Sequence, residues 1–367
     1  MLNEPITLSN ITLKNPLVMA PMTTYSGNPD GTVSDQELAY YQRRSFHLGM
    51  VITAATAVNN SARAFPFQIR IGEDRFLPGL KKLAQVIQAG GAKAVIQLHH
   101  GGRMSDKSVH EDPRDIVAPS AVLAERNFTV TPRAMTLEEV KQTQDDFVRG
   151  VKQAIEAGFD GAELHGANTY LLQQFFSPQT NLRTDAYGGS LENRMRFIVE
   201  LIERCAEVIK KSGQPFILGY RLSPEELETP GITMADTLEL INVFKTLPLS
   251  YIHLSTPHYL ATPRRDEFDK VPIVEQIQAV LERKIPLIGV GHINEKADIE
   301  AALNSGYNCV ATGISIIADP DWGLKVMNDQ PVETVIRKTA VIPEKLFERL
   351  HRWVPFFEEE GRFTIET

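Results

Sequence analysis

Short apolar, β-rich runs alternate with longer stretches of helical periodicity from one end of the chain to the other. The runs predict strand cores at Leu17–Ala20, Met50–Ala54, Ala94–Leu98, Gly161–His165, Phe216–Arg221, Tyr251–Ser255, Pro286–Val290 and Cys309–Thr312. Most lack strict in–out alternation, as parallel strands covered on both faces require. Between them the spacing of apolar positions predicts helices over Arg75–Ala89, Thr136–Ala157, Leu191–Lys211, Ala235–Thr246, Val271–Arg283 and Glu295–Asn304. Thr136 with Glu139 fits a capping box, and Ser190 leads a helix with Glu192 in its first turn. Gly90-Gly91, Gly158 and Gly306 follow helices where a left-handed C-cap is wanted. Eight strand–helix units imply an α/β protein of the closed (β/α)8 TIM-barrel type. A doubly wound parallel sheet is the competing architecture, because a strand count does not prove closure. No Pro/Ser/Gly-rich linker divides the chain, so residues 1–367 read as one barrel domain.

Three pieces stand outside the repeat. Residues 6–14 read as a β-hairpin around Ser9-Asn10, placed to plug the bottom of a barrel. The long, polar, Pro-containing stretch from about 103 to 133 follows the third strand. At the catalytic end of a barrel it would be a lid. The C-terminal helical segment 343–360, with Trp353, Phe356 and Phe357, is expected to dock on the barrel or on another subunit of a homo-oligomer.

A chain of 367 residues buries roughly three-quarters of the surface its unfolded form exposes, so no covalent staples are needed. Cys205 and Cys309 suit a reducing compartment and cannot by themselves build a disulfide framework or a metal cage. Thirty-eight basic against 46 acidic residues give a formal charge of −8, which argues against nucleic acid or an anionic membrane as partner. The N-terminus has no signal-peptide layout, and no apolar run reaches the ~18 residues that would span a bilayer. The expectation is a soluble cytoplasmic enzyme acting on small molecules.

Active sites of such barrels lie at the C-terminal strand ends. Those ends read Ala20-Pro21-Met22-Thr23, Ala55, Gln97, His165, Arg221, Ser255, Gly291 and Gly313. The densest cluster is His165-Gly-Ala-Asn168-Thr-Tyr170. If His165 and Asn168 lie on a helical turn, their spacing of three puts both donors on one face, where they grip one oxygen. Two donors polarise a carbonyl toward an enolate, and the Tyr170 phenol is placed to protonate the neighbouring carbon. The bland alternative is a strand-end histidine satisfied by backbone, with Tyr170 packed in the core. Glu163 shares the parity of His165 and reads as a structural partner inside the barrel. His99-His100 with His110 match no standard metal spacing, and Cys205 and Cys309 read as inert buried thiols. Arg264-Arg265 reads as a solvated loop. Gly289-Val290-Gly291 and Thr312-Gly313 offer backbone N–H groups where barrels of this type commonly hold phosphate.

Four segments together carry a resemblance. They are Ala20-Pro21-Met22-Thr23, Gln97-Leu98-His99-His100-Gly-Gly-Arg103, His165-Gly-Ala-Asn168-Thr-Tyr170, and the run from Phe176 to Arg194. In that last run, Asn181-Leu-Arg183-Thr-Asp185-Ala-Tyr187-Gly-Gly-Ser190-Leu-Glu-Asn193-Arg194 is the most specific part. The chain resembles the old yellow enzyme family of FMN-dependent, NADH- or NADPH-oxidising ene-reductases, from the hairpin to about Trp322. The resemblance implies that Ala20, Pro21, Met22, Thr23, Ala55 and Gln97 line the flavin, with the Thr23 hydroxyl near its O4/N5 edge. It implies Arg221 on the N1/O2 side, where a charge-assisted bond is worth about 1.5–3 kcal/mol. His165 and Asn168 would hold the substrate carbonyl, Tyr170 would protonate Cα, and Tyr25 would sit over the substrate. NAD(P)H and an activated alkene would use one pocket in turn, by a ping-pong cycle.

Three positions vary the pattern. Asn168 and Thr23 stand where one branch of the family carries histidine and cysteine. Ile314 stands where the family usually has an arginine on the FMN phosphate. The resemblance then leaves the phosphate to the backbone N–H groups of Gly291, His292, Gly313 and Ile314, with His292 adding partial charge. One missing charge-assisted bond weakens binding about 10–100-fold. Competing readings are a flavin-binding barrel with little turnover, a Schiff-base aldolase and a metal-dependent hydrolase. The aldolase lacks a lysine at a strand end, since Lys14 and Lys93 both precede their strands. The hydrolase lacks ligands at the first strand end.

Overall fold

Eight parallel strands close on themselves in the computed structural model, which describes residues 2–125, 129–353 and 361–366. They are β1 (Leu17–Met19), β2 (Met50–Ile52), β3 (Lys93–His99), β4 (Gly161–Gly166), β5 (Ile217–Leu222), β6 (Tyr251–Leu254), β7 (Leu287–Gly289) and β8 (Cys309–Thr312). Each pairs with its sequence neighbours, and β8 returns to β1 with Val310 opposite Leu17. That last pairing excludes the open doubly wound sheet. Around the barrel run α1 (Asp35–Arg44), α2 (Leu77–Ala89), α3 (Leu137–Glu156), α4 (Leu191–Ser212), α5 (Met234–Phe244), α6 (Ile273–Leu281), α7 (Lys296–Asn304) and α8 (Trp322–Met327). The capping box of Thr136 and Glu139 starts α3, and the Ser190 hydroxyl accepts the Asn193 N–H at the start of α4.

Helix α1 has no strong apolar signature in the sequence, and its burial explains why. The face turned inward carries Glu37, Tyr40, Tyr41 and Arg44, at helical spacing but half of it charged. Arg44 is sealed there and donates to the carbonyls of Ile316 (3.0 Å), Ile317 (3.2 Å) and Ala340 (2.9 Å).

The predicted hairpin forms from Ile6–Leu8 and Ile11–Leu13, with Thr7 opposite Thr12 and Ser9 at φ 52° in the turn. Its Leu8, Ile11 and Leu13 pack in one cluster with the inward residues Val18, Met50, Val95, Ile217 and Cys309. The barrel floor is therefore apolar and closed. The loop from about 103 to 133 contains turns of 3-10 helix at Lys107–Val109 and Pro113–Asp115. A two-residue pairing follows, with Val117 opposite Arg133. Beyond β8, Val335–Ile336 pairs with Thr364–Ile365, and between them α9 (Glu344–Leu350) docks on the barrel through Leu346 and Leu350. Phe356, Phe357 and the side chain of Trp353 lie outside the described residues.

Truncating a plug residue removes contacts that the rigid barrel cannot refill. The variant Leu8→Ala is expected to lose about 2–5 kcal/mol of stability while keeping its fold. A shift of the urea midpoint to lower concentration with unchanged far-UV circular dichroism is the expected result.

Candidate functional site

Above the apolar floor the barrel interior turns polar. Glu163 of β4 is fully buried and accepts from Gln97 Nε2 of β3 (2.7 Å) and from His253 Nδ1 of β6 (3.0 Å). Burial opposes its ionisation, but His253, Arg221 and Gln97 together hold its carboxyl below the usual range. It is a structural anion, as its parity suggests. Arg221 of β5 sits nearby with its Nε buried and unpartnered among the described residues. Its Nη2 donates to Ser255 Oγ (3.2 Å), and that hydroxyl donates to Asn168 Oδ1 (3.0 Å). With Oδ1 occupied, the amide of Asn168 has its Nδ2 hydrogens left for a ligand. The backbone N–H of Asn168 is tied in turn to Ser223 Oγ (2.9 Å).

His165 ends β4. Burial first, then His99 and Arg221, hold its imidazole well below its ordinary pKa, so it is neutral. The Ala167 N–H points at its Nδ1 (3.3 Å), which assigns the ring proton to Nε2. The geometry that joins His165 and Asn168 is not a helical turn. Asn168 (φ 56°) and Thr169 (φ 67°) are left-handed, and the chain reverses tightly before the short helix Leu171–Phe176. The helical turn expected from the spacing is thus replaced by a left-handed one, and both side chains still line one cavity. The Tyr170 ring lies edge-on to His165 (4.9 Å between centroids), to His99 (4.4 Å) and to Phe65 (6.1 Å).

These groups line a cavity of about 510 Å³ at the C-terminal mouth of the barrel. Its wall also holds Pro21, Met22, Thr23, Tyr25, Ala55 and Gln97. A second cavity of about 280 Å³ continues toward β7 and β8, lined by Ala20, Gly291, His292, Gly313 and Ile314. Met22 and Arg221 line both, so the two form one trough. Every residue singled out for cofactor or substrate therefore lies on it. Gly291 must be glycine: its φ is 101°, and a Cβ there would meet the Thr256 carbonyl at 2.6 Å. A Cβ on Gly313 would press on Met22 Sδ at 2.6 Å, closing the cradle between the cavities.

This trough fits a flavin mononucleotide on two counts: the dry, unpartnered Arg221 Nε at its centre, and the glycine cradle at its narrow end. At that end Ile314 brings no charge, but the His292 ring lies 5.4 Å from that of His258. Arg362 is close enough to lower the pKa of His258, although burial does so first and His292 second.

Sequence reasoning missed Phe65 and Met104 on the cavity wall, and Leu346, Arg349, Leu350 and Arg352 across its mouth. The Leu346/Leu350 and Arg349/Arg352 spacings were visible, but nothing local says which surface they cover. His99, His100 and His110 go separate ways. His99 meets Gln68 Nε2 (3.1 Å), His100 accepts the Gly102 N–H (3.1 Å), and His110 Nε2 meets the Arg63 carbonyl (3.0 Å). Among the described residues no group of three or more His, Cys, Asp or Glu could hold a metal ion. Cys205 and Cys309 are buried, and burial pushes both thiols up to about 12. Arg265 is not merely solvated, since it donates to the Glu226 carbonyl (2.7 Å).

Residues 1–333 match the NADH:flavin oxidoreductase / NADH oxidase family. The chain is 42% identical to the probable NADH-dependent flavin oxidoreductase YqiG of Bacillus subtilis, over 96% of this chain and 97% of that one. It is 40% identical to the NADH:fumarate oxidoreductase of Klebsiella pneumoniae over 94% of its length, but spans only 38% of that protein. Among solved structures, morphinone reductase in complex with tetrahydroNAD superposes with a TM-score of 0.79 at 31% identity. That match covers 90% of this chain and 92% of the other.

The loop carrying Thr23 and Tyr25 is held to α1 by Thr24, whose hydroxyl reaches both Glu37 oxygens (2.9 and 2.7 Å). Burial raises the Glu37 carboxyl to about 7 against an opposing Thr24 bond. The folded state then keeps a proton that the unfolded chain releases near the ordinary value of 4.5. Stability from this group is full below that value and is lost as pH rises toward 7. Glu37→Gln should match the parent at low pH and exceed it by about 3 kcal/mol above pH ~7. Chemical denaturation at several pH values measures the difference.

Proposed function

Because the chain belongs to the NADH:flavin oxidoreductase / NADH oxidase family, that of the old yellow enzymes, we propose that it is an FMN-dependent ene-reductase. It takes hydride from NADH or NADPH and reduces the activated C=C bond of α,β-unsaturated carbonyl compounds. The observation that carries this reading is the pair of fixed donors, neutral His165 and the Asn168 amide, on the wall of one cavity with the Tyr170 phenol. The flavin, when bound, supplies the hydride chemistry.

The chain's own residues do the rest. His165 and Asn168 bind the carbonyl oxygen and stabilise the negative charge that develops on it, with Asn168 already held in place by its bonds to Ser223 and Ser255. The buried, neutral imidazole of His165 serves as donor without adding a charge to the site. Tyr170 gives its phenolic proton to the carbon next to the carbonyl. Tyr25 and Thr23 position the ligand, while Ala20, Pro21, Met22, Ala55 and Gln97 would lie along the flavin ring. Arg221 would face its anionic edge, with Glu163 as the balancing charge. Gly291, His292, Gly313 and Ile314 would surround the phosphate. One cavity serving both the dinucleotide and the alkene implies ping-pong kinetics.

A cytoplasmic site of action fits the two unpaired buried thiols, and no described helix is long and apolar enough to cross a membrane.

Purified protein is expected to carry a flavin absorbance that bleaches with NADPH in the absence of oxygen and returns on adding cyclohexenone. A protein that FMN titration cannot turn yellow would overturn the reading. Tyr170→Phe should slow reoxidation by cyclohexenone about 10²–10⁴-fold while sparing reduction by NADPH; equal loss in both half-reactions sinks the role of Tyr170. Ile314→Arg should tighten FMN about 10–100-fold in a fluorescence titration, the worth of one charge-assisted bond.

A further inference from the structure

The mouth of the cavity carries charge that reduction of a neutral enone does not use. Lys345, Arg349 and Arg352 repeat at helical spacing along α9 and the turn His351–Trp353 that extends it. Such a stripe is usually a solvated face, but here the helix is pinned by Leu346 (4% exposed) and Leu350 (1% exposed). The stripe is thereby laid on an aromatic wall. The Arg349 guanidinium sits 3.9 Å from the Tyr25 ring centre, and Lys345 covers Phe67. Tyr25 meets Phe65 at 5.9 Å, and Phe65 meets Tyr170 at 6.1 Å, so the wall runs from the arginines to the phenol.

Both Arg349 and Arg352 line the reaction cavity, and no aspartate or glutamate does among the described residues. Glu348, on the same helix, lines the adjoining outer groove, into which Lys345, Arg349 and Arg352 also extend. Other arginines around the barrel have carboxylate partners, for example Arg43 with Asp321 and Arg183 with Asp185. Arg349 and Arg352 have none among the described residues. A guanidinium stays charged at any working pH and presents a planar fork that matches a carboxylate.

We propose that Arg349 and Arg352 select alkenes that carry a carboxylate in addition to the activating carbonyl, so that the substrate class is the unsaturated oxo-acid. This rests on the ene-reductase reading above and adds the second anchor. A carboxylate withdraws electrons too weakly to activate the double bond alone, so the carbonyl stays with His165 and Asn168 while the carboxylate reaches the arginines. The chemistry balances as before. The reduced cofactor would supply hydride, a proton with two electrons, for the β-carbon; Tyr170 adds a proton at the α-carbon, the π bond breaks, and the carboxylate leaves unchanged.

The test compares trans-4-oxo-2-pentenoate with its methyl ester in the flavin-loaded enzyme and in R349Q/R352Q. The expected result is a kcat/KM that falls at least 10-fold more for the acid than for the ester. Arg349→Lys with Arg352→Lys should recover part of the preference. Calorimetric binding of 4-oxopentanoate, the saturated acid, should be measurable in the parent and lost in R349Q/R352Q. Equal losses for acid and ester would mean a merely structural stripe. A loss confined to flavin reduction by NADH would mean that the arginines hold the dinucleotide phosphates. Either result overturns the proposal, as does unchanged acid binding. If neither cyclohexenone nor the ester reoxidises the enzyme, the ene-reductase reading fails by itself, and 4-oxopentanoate binding still decides the anion site.

Discussion

A carboxylate sealed inside the barrel is the constraint on which the rest of the site depends. Glu163 has no water to solvate it, so its charge must be met by neighbours or it would not persist. Gln97 and His253 supply hydrogen bonds, and Arg221 supplies the opposite charge. Each of these neighbours sits on a different strand, so the polar layer ties β3, β4, β5 and β6 together. It also divides the barrel. Below it the hairpin residues Leu8, Ile11 and Leu13 close an apolar floor, and above it the trough begins.

The same charge reaches the ligand side by a relay. Arg221, oriented by its electrostatic attraction to Glu163, donates to Ser255, and Ser255 donates to the Asn168 oxygen. That fixes which end of the amide is turned to a ligand. His165 reaches the same polarity by another route, because burial keeps it neutral and the Ala167 N–H claims its Nδ1. Two donors on one cavity wall, with neither bearing a full charge, suit an oxygen that becomes anionic only during reaction.

The eight strands were legible because parallel strands covered on both faces are apolar without interruption, and their ends pointed to His165, Arg221 and the late glycines. Helix α1 was not legible, because Glu37 and Arg44 occupy half of its buried face. The Asn168 turn was misread because a left-handed pair after a strand leaves no period to detect. The arginines of α9 were invisible as site residues for a different reason: their place depends on contacts with Tyr25, more than three hundred positions earlier in the chain. The run most diagnostic of the family proves to be scaffold. Asn181 binds the carbonyls of Phe175 (2.6 Å) and Tyr187 (2.7 Å), and Arg183 binds those of Pro119 (3.0 Å) and Met135 (2.6 Å). These bonds brace the segment after Tyr170 and the base of the 103–133 loop. The most specific of the four segments thus serves as scaffold, while the other three contribute residues to the cavity wall.

That separation extends to the C-terminal part of the chain. The family match ends at residue 333, yet Leu346, Arg349, Leu350 and Arg352 close one end of the trough and Phe363 lines the other. Arg44 fastens this segment by its bond to the Ala340 carbonyl, while the strand pair Val335–Ile336 and Thr364–Ile365 brings its end back. The barrel core supplies His165, Asn168 and Tyr170 to the cavity, whereas the C-terminal strap supplies the cations Arg349 and Arg352. On the selectivity proposed above, changes in α9 would alter the choice of substrate while leaving the bonds of Glu163, Arg221 and Asn168 in place, because none of those bonds involves an α9 residue.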